Sequence, residues 1–276
     1  MAAVAGQGYL AGRMDIGDYQ TLAVDLEDGL LRVTLNRPKV RNAFNGDVVR
    51  ELSVVFNEVA VREEVRVVLL QGAGKSFSAG ADLSWMTEQA ELPAEENRRS
   101  AEEMANMFLS IARCPKPVVG RIHGHALGGG SGLTAAVDIA ITTPNTQFGL
   151  TEVKLGIVPA VISPFVMQRI GVSRARVLFL TGERFDGREA ERAGLVHRTV
   201  PEALLDAEVE RVIGELRSSG PAAVASAKRL IESVGNETLE SAIPVTAQWI
   251  ADLRATPEAK EGMTAFLEKR RPGWMS

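Results

Sequence analysis

Helical periodicity and short apolar segments alternate from residue 47 to residue 142, and this alternation limits the folds that the chain can adopt. Between residues 47 and 60, apolar side chains recur at helical spacing, and residues 65–70 are apolar except for Arg66. The same order returns as a helical stretch at 94–113, a strand at 118–122, a helix at 131–137 and a strand at 138–142. Strands separated by helices are typical of a parallel sheet with right-handed crossovers. The sequence therefore predicts an α/β fold.

Both ends of the chain depart from this pattern. Residues 1–17 are broken by glycines and charges and are predicted to be flexible, and the apolar segments 21–26 and 31–35 flank Asp28 and Gly29 as in a hairpin. Beyond about residue 200 only helical patterns remain, at 202–217, 221–233, 239–253 and 257–270. We therefore divide the chain into a flexible segment, 1–17, a core domain, 18–200, and a helical region, 201–276. The helical region either packs on its own core or covers a neighbouring subunit.

Composition excludes several classes of function. The formal net charge is −4, which gives no general attraction for a polyanion and argues against nucleic acid as a partner. The single cysteine, Cys114, cannot form an intramolecular disulfide, and no Cys/His spacing fits a structural metal site. No segment has the length of a membrane span or the form of a secretion signal. We expect a cytoplasmic protein with no metal, no cofactor and no membrane partner.

Two glycine-rich segments follow predicted strands, at residues 74–83 and 124–132. Small residues at the end of a strand expose backbone N–H groups and let a ligand approach closely. Taken alone, each segment is compatible with an ordinary turn. A phosphate cradle is an alternative, but the second segment has neither a P-loop lysine nor the dinucleotide pattern of glycines, so stabilisation of an oxyanion is the better functional interpretation.

Five ordered sequence blocks carry a resemblance to a known family. They are residues 35–44 (LNRPKVRNAF), 78–83 (SAGADL), 125–132 (HALGGGSG), 148–152 (FGLTE) and 261–270 (EGMTAFLEKR). Together they resemble the crotonase superfamily of enoyl-CoA hydratases and isomerases over nearly the whole chain. The resemblance implies a crotonase-like spiral of ββα turns with a helical C-terminal region that forms trimers, commonly paired into hexamers. It also implies that an acyl-CoA thioester is the substrate.

The resemblance also implies catalytic roles. The backbone N–H groups of Ala81 and Gly129 would hold the thioester oxygen, and Glu152 would transfer protons. Family hydratases usually carry an earlier glutamate as well, and its position falls on Gly132. With one carboxylate the chain has three alternatives: hydration through Glu152 alone, a 1,3 proton shift as in the isomerases, or a substrate carboxylate or another side chain that compensates for Gly132.

A finer resemblance concerns the acyl group. Residues 77–86, Gly132 and residues 151–166 are similar to bacterial 3-methylglutaconyl-CoA hydratase-like proteins of leucine or isoprenoid breakdown. For the nucleotide end, the resemblance implies contacts from Lys39 and its neighbours, and from Phe266 and Lys269 of an adjacent subunit. The full set of implied substrate-binding residues is Lys39, Val40, Ala79, Asp82, Leu83, Trp85, Gly128, Gly132, Pro159, Phe266 and Lys269.

The leading prediction from the sequence is an enoyl-CoA hydratase, and a delta3,delta2-enoyl-CoA isomerase is the second. Because some crotonase relatives have been linked to RNA, an RNA-binding protein is a third hypothesis, against which the acidic balance weighs. A catalytically silent assembly subunit is a fourth, since Gly132 lacks a carboxylate. The three histidines are scattered, and we assign none of them a catalytic step.

Overall fold

The computed structural model describes residues 16–275. The predicted flexible segment, 1–17, therefore lies outside the described residues except for its last two positions. Two β-sheets and ten α-helices form the described part of the chain. The strands are β1 (Leu22–Glu27), β2 (Leu30–Leu35), β3 (Val67–Gly72), β4 (Val118–Arg121), β5 (His125–Leu127), β6 (Ile139–Thr142), β7 (Gln147–Gly149), β8 (Arg184–Phe185) and β9 (Arg198–Thr199).

The larger sheet has six strands in the order β1-β2-β3-β4-β6-β9. The hairpin predicted from Asp28 and Gly29 is present, because both residues take positive φ (49° and 76°) and β1 pairs antiparallel with β2. The remaining neighbours, from β2 to β9, are parallel. Parallel neighbours place the carboxyl ends of β3 and β4 at one edge, where the two glycine-rich segments begin.

The smaller sheet was not predicted from the sequence. It consists of β5, β7 and β8, with β5 parallel to β7 and β7 antiparallel to β8. Its register aligns Leu127 with Gly149, and Gly149 with Arg184. The second glycine-rich segment thus contributes a strand, which we had expected to be a loop.

The helices cover both faces of the larger sheet. They are α1 (Gly46–Val54), α2 (Leu83–Ala90), α3 (Ala94–Ala112), α4 (Gly129–Ala136), α5 (Ser163–Thr181), α6 (Gly187–Ala193), α7 (Leu205–Ser218), α8 (Pro221–Val234), α9 (Leu239–Ala255) and α10 (Pro257–Leu267). A π-helical turn, Val55–Val59, extends α1, and α5 is interrupted at Gly171, where φ is 71°. None of the helices in residues 16–275 is long and apolar enough to cross a membrane.

The core lies mainly on one face of the larger sheet. Apolar residues of β2, β3 and β4 pack there against α1, α3, α4 and α5, and the completely buried rings include Phe44, Phe56 and Phe108. A smaller cluster on the other face joins Leu69 and Val119 to Val209 and Ile213 of α7. The buried area holds the sheet edge, and the loops that leave it, in one fixed position.

A network of paired polar groups connects the core to the C-terminal helices. Asp138 accepts a hydrogen bond from the Val118 N–H at 2.7 Å and forms an ion pair with Lys228 of α8 at 2.7 Å. The Arg169 guanidinium donates to backbone carbonyls of Ala135, Val137 and Asp138. This network attaches α8 to the loop before β6.

Candidate active site

Two loops from the larger sheet run side by side at its edge. The Ser78 N–H donates to the His125 carbonyl at 2.9 Å, and the Leu127 N–H donates back to the Ser78 carbonyl at 3.0 Å. On the other side, the Phe44 N–H donates to the Gly80 carbonyl and the Asp82 N–H donates to the Phe44 carbonyl, both at 2.8 Å. The loop of residues 78–82 is therefore fixed from both flanks by main-chain hydrogen bonds.

The approach of the two loops depends on glycine. A Cβ atom at Gly80 would lie 2.7 Å from the Leu127 carbonyl oxygen, which is too short for any other residue. Gly128 has φ 49° and ψ −118°, a conformation that L-residues rarely adopt, and a Cβ there would lie 3.1 Å from Glu152 Oε1. These positions bring both loops and Glu152 to one point.

Two backbone amides at this point are free. The N–H groups of Ala81 and Gly129 hydrogen-bond to no acceptor within residues 16–275, and both residues line the same cleft. Gly129 is the first residue of α4, so its amide belongs to the positive end of that helix. A pair of such donors is suited to an oxygen that gains negative charge.

Glu152 faces the two amides from a 3₁₀ turn, Thr151–Leu155, that follows β7. Its Oε2 is buried and has no hydrogen-bond partner among the described residues. Burial raises the pKa of Glu152 above that of an ordinary glutamate, and a hydrogen bond from its own backbone N–H opposes the shift. A carboxyl group with a raised pKa and an unpaired oxygen is suited to accepting and returning a proton.

The amides and Glu152 open into a cleft of about 610 Å³. Its volume suits a small-molecule ligand. Seven of the residues implied by the resemblance line it: Ala79, Ala81, Leu83, Gly128, Gly129, Glu152 and Pro159. The rest of the wall is mainly apolar and includes Met86, Met104, Leu155, Ile157, Val158, Val161 and Ile162.

Comparison with known proteins identifies the family. The enoyl-CoA hydratase/isomerase family model matches residues 25–276. This chain belongs to that family. A short-chain-enoyl-CoA hydratase from Clostridium acetobutylicum is 33% identical over 92% of this chain and 97% of its own length. A crotonyl-CoA hydratase from Syntrophomonas wolfei is 36% identical over 94% of this chain and 99% of its own length.

A solved structure of an enoyl-CoA hydratase from Shewanella pealeana has the same fold, with a TM-score of 0.88 and 37% identity over 92% of this chain and 96% of that chain. The predicted crotonase-type α/β fold is therefore confirmed.

Several residues that the resemblance implies lie outside the cleft of this family member. Trp85 borders a different groove, between α1 and α3, because two residues along α2 turn it away from Leu83, which faces the cleft. Asp82 caps the first turn of α2 and forms an ion pair with Arg37 at 3.2 Å. The ion pair and the cap of Asp82 hold the end of the Ala81 loop in position.

The residues implied for the nucleotide end also lie outside this cleft. Lys39 and Val40 belong to an exposed 3₁₀ turn, Pro38–Val40, and the following residue, Arg41, accepts a hydrogen bond from the Ala79 N–H. Phe266 is 83% exposed on α10, and Lys269 lies just beyond the end of that helix. In a single chain, these two groups of residues do not meet the cleft.

Gly132 lies behind the cleft wall. A Cβ there would be 2.3 Å from Ile162 Cγ2 and 3.0 Å from Phe108 Cε1, so Ile162 occupies the space that a side chain at position 132 would need. The family's first glutamate therefore has no room in this chain. Ile162 lies between Gly132 and the cleft and lines the cleft itself, so Gly132 does not reach the cleft as the resemblance implies.

Two cations in the cleft were missed by the sequence analysis. Lys154 follows Glu152 by only two residues in the sequence, and this proximity could have indicated that it lines the cleft. Arg184 reaches the cleft only because the two-residue strand β8 pairs with β7. No local sequence pattern indicates such a pairing.

Proposed function

We propose that this chain is an enoyl-CoA hydratase in which Glu152 activates water while the amides of Ala81 and Gly129 hold the thioester oxygen. One observation carries the proposal. Two unpaired backbone donors and one unpaired carboxylate oxygen meet in an otherwise mainly apolar cleft. The names of the hydratase relatives support the same reaction.

The proposed chemistry needs only these groups. Glu152 takes a proton from water as the water oxygen bonds to the β-carbon, and electrons move through the double bond into the thioester carbonyl. The resulting enolate oxygen is held by the two amides, each worth about 2.7 to 4 kcal/mol in the transition state. Glu152 then returns the proton to the α-carbon. The net change is the addition of one water.

The lone carboxylate also fits a second reaction. Glu152 could take a proton from one carbon of an enoyl thioester and return it two carbons away, which moves the double bond without adding water. This isomerase alternative uses the same amides. The observation that favours it is Ile162, which fills the space that the family's first glutamate would need at position 132.

Mass spectrometry separates the two reactions. We expect crotonyl-CoA to gain the mass of one water, with ¹⁸O incorporated from labelled solvent, and Glu152→Gln to abolish the gain. An unchanged mass with a moved double bond in a β,γ-enoyl-CoA, and no hydration of crotonyl-CoA, would establish the isomerase instead.

For the acyl group, we propose a branched, methylglutaconyl-type chain, as in leucine or isoprenoid breakdown. The resemblance of residues 151–166 supports it, and this segment forms much of the cleft wall, including Pro159 and Val161. Comparing methylglutaconyl-CoA with straight-chain crotonyl-CoA tests it. A preference for the straight chain would reject the branched substrate and leave the hydratase proposal intact.

We also propose that region 201–276 assembles the chain into a homotrimer or a hexamer of paired trimers in the cytoplasm. Large apolar side chains of α9 and α10 support this, since Leu239, Phe266 and Leu267 are each at least 80% exposed. Sedimentation velocity tests it. A monomer at micromolar concentration would reject the assembly, and Phe266→Ser should weaken it.

A further inference from the structure

The cleft contains two cationic side chains for which the proposed chemistry has no use. Lys154 and Arg184 both line it, and neither forms an ion pair or a hydrogen bond with any residue in the part of the chain that the structure describes. Both side chains are exposed to solvent, as are many other unpaired cations of the described chain. What distinguishes this pair is that both members line the cleft that holds Glu152, where an entering ligand would meet them.

The stems of both cations lie against glycine residues. A Cβ at Gly149 would lie 3.4 Å from Arg184 Cγ, so the Arg184 side chain passes over β7 at a residue that has no side chain of its own. A Cβ at Gly182 would lie 3.3 Å from both Cγ and Cε of Lys154. Both stems thus lie along one wall of the cleft, formed by the 3₁₀ turn of Glu152 and by β8.

The charges in the cleft do not balance. Glu152 is the one acidic residue among the described residues that line it, and neither cation contacts its carboxylate. Two cations and a single carboxylate in one cleft favour a ligand that brings negative charge.

Two parts of an acyl-CoA could supply the anion: the phosphates of the nucleotide or a carboxylate on the acyl chain. The phosphates lie at the far end of the pantetheine arm, many bonds from the thioester. Lys154, in contrast, is two residues from Glu152 in a 3₁₀ turn, which rises by about 2 Å per residue. Arg184 lies across β7 from Leu127, two residues before the Gly129 amide. Both cations therefore extend from the backbone segments that carry or adjoin Glu152 and the Gly129 amide, and both line the same cleft.

We propose that Lys154 and Arg184 form an anion subsite for a carboxylate carried by the acyl chain, so that the preferred substrate is a dicarboxylic enoyl thioester. This inference rests on the proposed hydratase function and adds to it the residues that select the acyl group. Charge-assisted hydrogen bonds to the distal carboxylate orient the chain, and the remaining wall accepts its apolar part.

The test compares crotonyl-CoA with glutaconyl-CoA, which carries one additional terminal carboxylate. We expect wild type to have the higher kcat/KM for glutaconyl-CoA. Lys154→Met and Arg184→Met should each lower that value about 10- to 100-fold more than the value for crotonyl-CoA. Lys154→Arg should restore part of the preference. Arg176→Met is the matched control, because Arg176 is an exposed arginine of α5 outside the cleft.

The same comparison on pantetheine thioesters, which lack the nucleotide phosphates, separates the two sources of the anion. Persistence of the glutaconyl preference supports the acyl subsite. Equal losses on both CoA substrates in the Lys154 and Arg184 variants would assign the cations to the phosphates and overturn the inference. Hydration of crotonyl-CoA without any glutaconyl preference would overturn it while leaving the proposed function standing, whereas no hydration of either substrate would overturn both.

Discussion

Glu152 and Asp138 are both carboxylates whose pKa is raised by burial, yet their surroundings differ. Asp138 receives the Val118 N–H and the Lys228 ammonium, each at 2.7 Å. Glu152 leaves Oε2 buried without a partner among the described residues. The difference separates two uses of a buried acid: Asp138 joins elements of the fold, and Glu152 keeps an acceptor available for a proton at a cost in stability.

The largest expected effect comes from Glu152→Gln. It removes the proton acceptor, so kcat should fall roughly 100- to 10,000-fold. Because the raised pKa of Glu152 means that folded-state ionisation is unfavourable, wild-type stability decreases as pH rises above the ordinary glutamate pKa. Glu152→Gln has no ionisable group at this position, so it does not lose this stability at high pH. Its melting temperature at pH 8, measured by calorimetry, should equal or exceed that of wild type, and a clear decrease would contradict the contrast with Asp138.

A second carboxylate can be placed in the cleft region through Gly132→Glu. The new Cβ would overlap Ile162, and we expect a loss of about 3 kcal/mol in the free energy of unfolding, measured by urea denaturation. Adding Ile162→Ala should recover most of that loss, because it empties the occupied space. If the single variant were as stable as wild type, Ile162 would not be the obstacle.

Asp138→Asn should lower stability and largely spare turnover, which is the opposite of the effect expected for Glu152→Gln. Lys228 would lose its counter-charge in a mostly buried position, and we expect a loss of about 2 kcal/mol in unfolding free energy with kcat changed less than tenfold. Chemical denaturation and steady-state kinetics measure the two quantities. Lys228→Met is the matched partner variant. If Asp138→Asn instead lost most of its turnover at unchanged stability, Asp138 would not have the purely structural role that distinguishes it from Glu152.

The smallest effect concerns His197, which borders the Asp138 network. Its Nδ1 accepts the Ala140 N–H at 3.0 Å, and burial together with the nearby Arg169 lowers the pKa of His197 to about 4. Stability should therefore decline as pH falls from about 6.5 towards 4, because the unfolded chain binds a proton that the folded chain resists. His197 is partly open to solvent, so we expect at most about 1 kcal/mol. His197→Gln should flatten this part of the stability profile, and an identical slope in the variant would exclude His197 as its source.

Much of the fold could be predicted from the sequence because its signals are local. Asp28 and Gly29 specify the hairpin by their turn conformation, and the apolar period specifies α3, which spans Ala94–Ala112 against a predicted 94–113. The smaller sheet could not be predicted, since strands of two or three residues have too little periodicity. Helix α4 also begins at Gly129, two residues before the predicted start, because glycines carry no helical signal.

In the candidate site, too, the residues specified by local sequence patterns could be predicted and those placed by contacts between distant segments could not. The loops of Ala81 and Gly129 could be located because glycine-rich segments after strands are visible along the chain. Arg184 and Ile162 enter the cleft through contacts with segments distant in sequence, with β7 and with Gly132 respectively. Trp85, which the resemblance implies as a substrate-binding residue, borders a different groove, because sequence proximity to Leu83 does not specify which helix face a residue occupies.

The hydrogen bonds that join residues 78–82 to Phe44 and to β5 have a consequence for how such a protein can diversify. Both donors that we propose for the oxyanion are main-chain atoms, so side-chain substitutions elsewhere in the cleft should leave them in place. Lys154, Ile162 and Arg184 can vary one at a time around a constant anion-stabilising centre. Under the proposed function, the scaffold separates the groups that would act on any enoyl thioester from the side chains that would select a particular acyl chain.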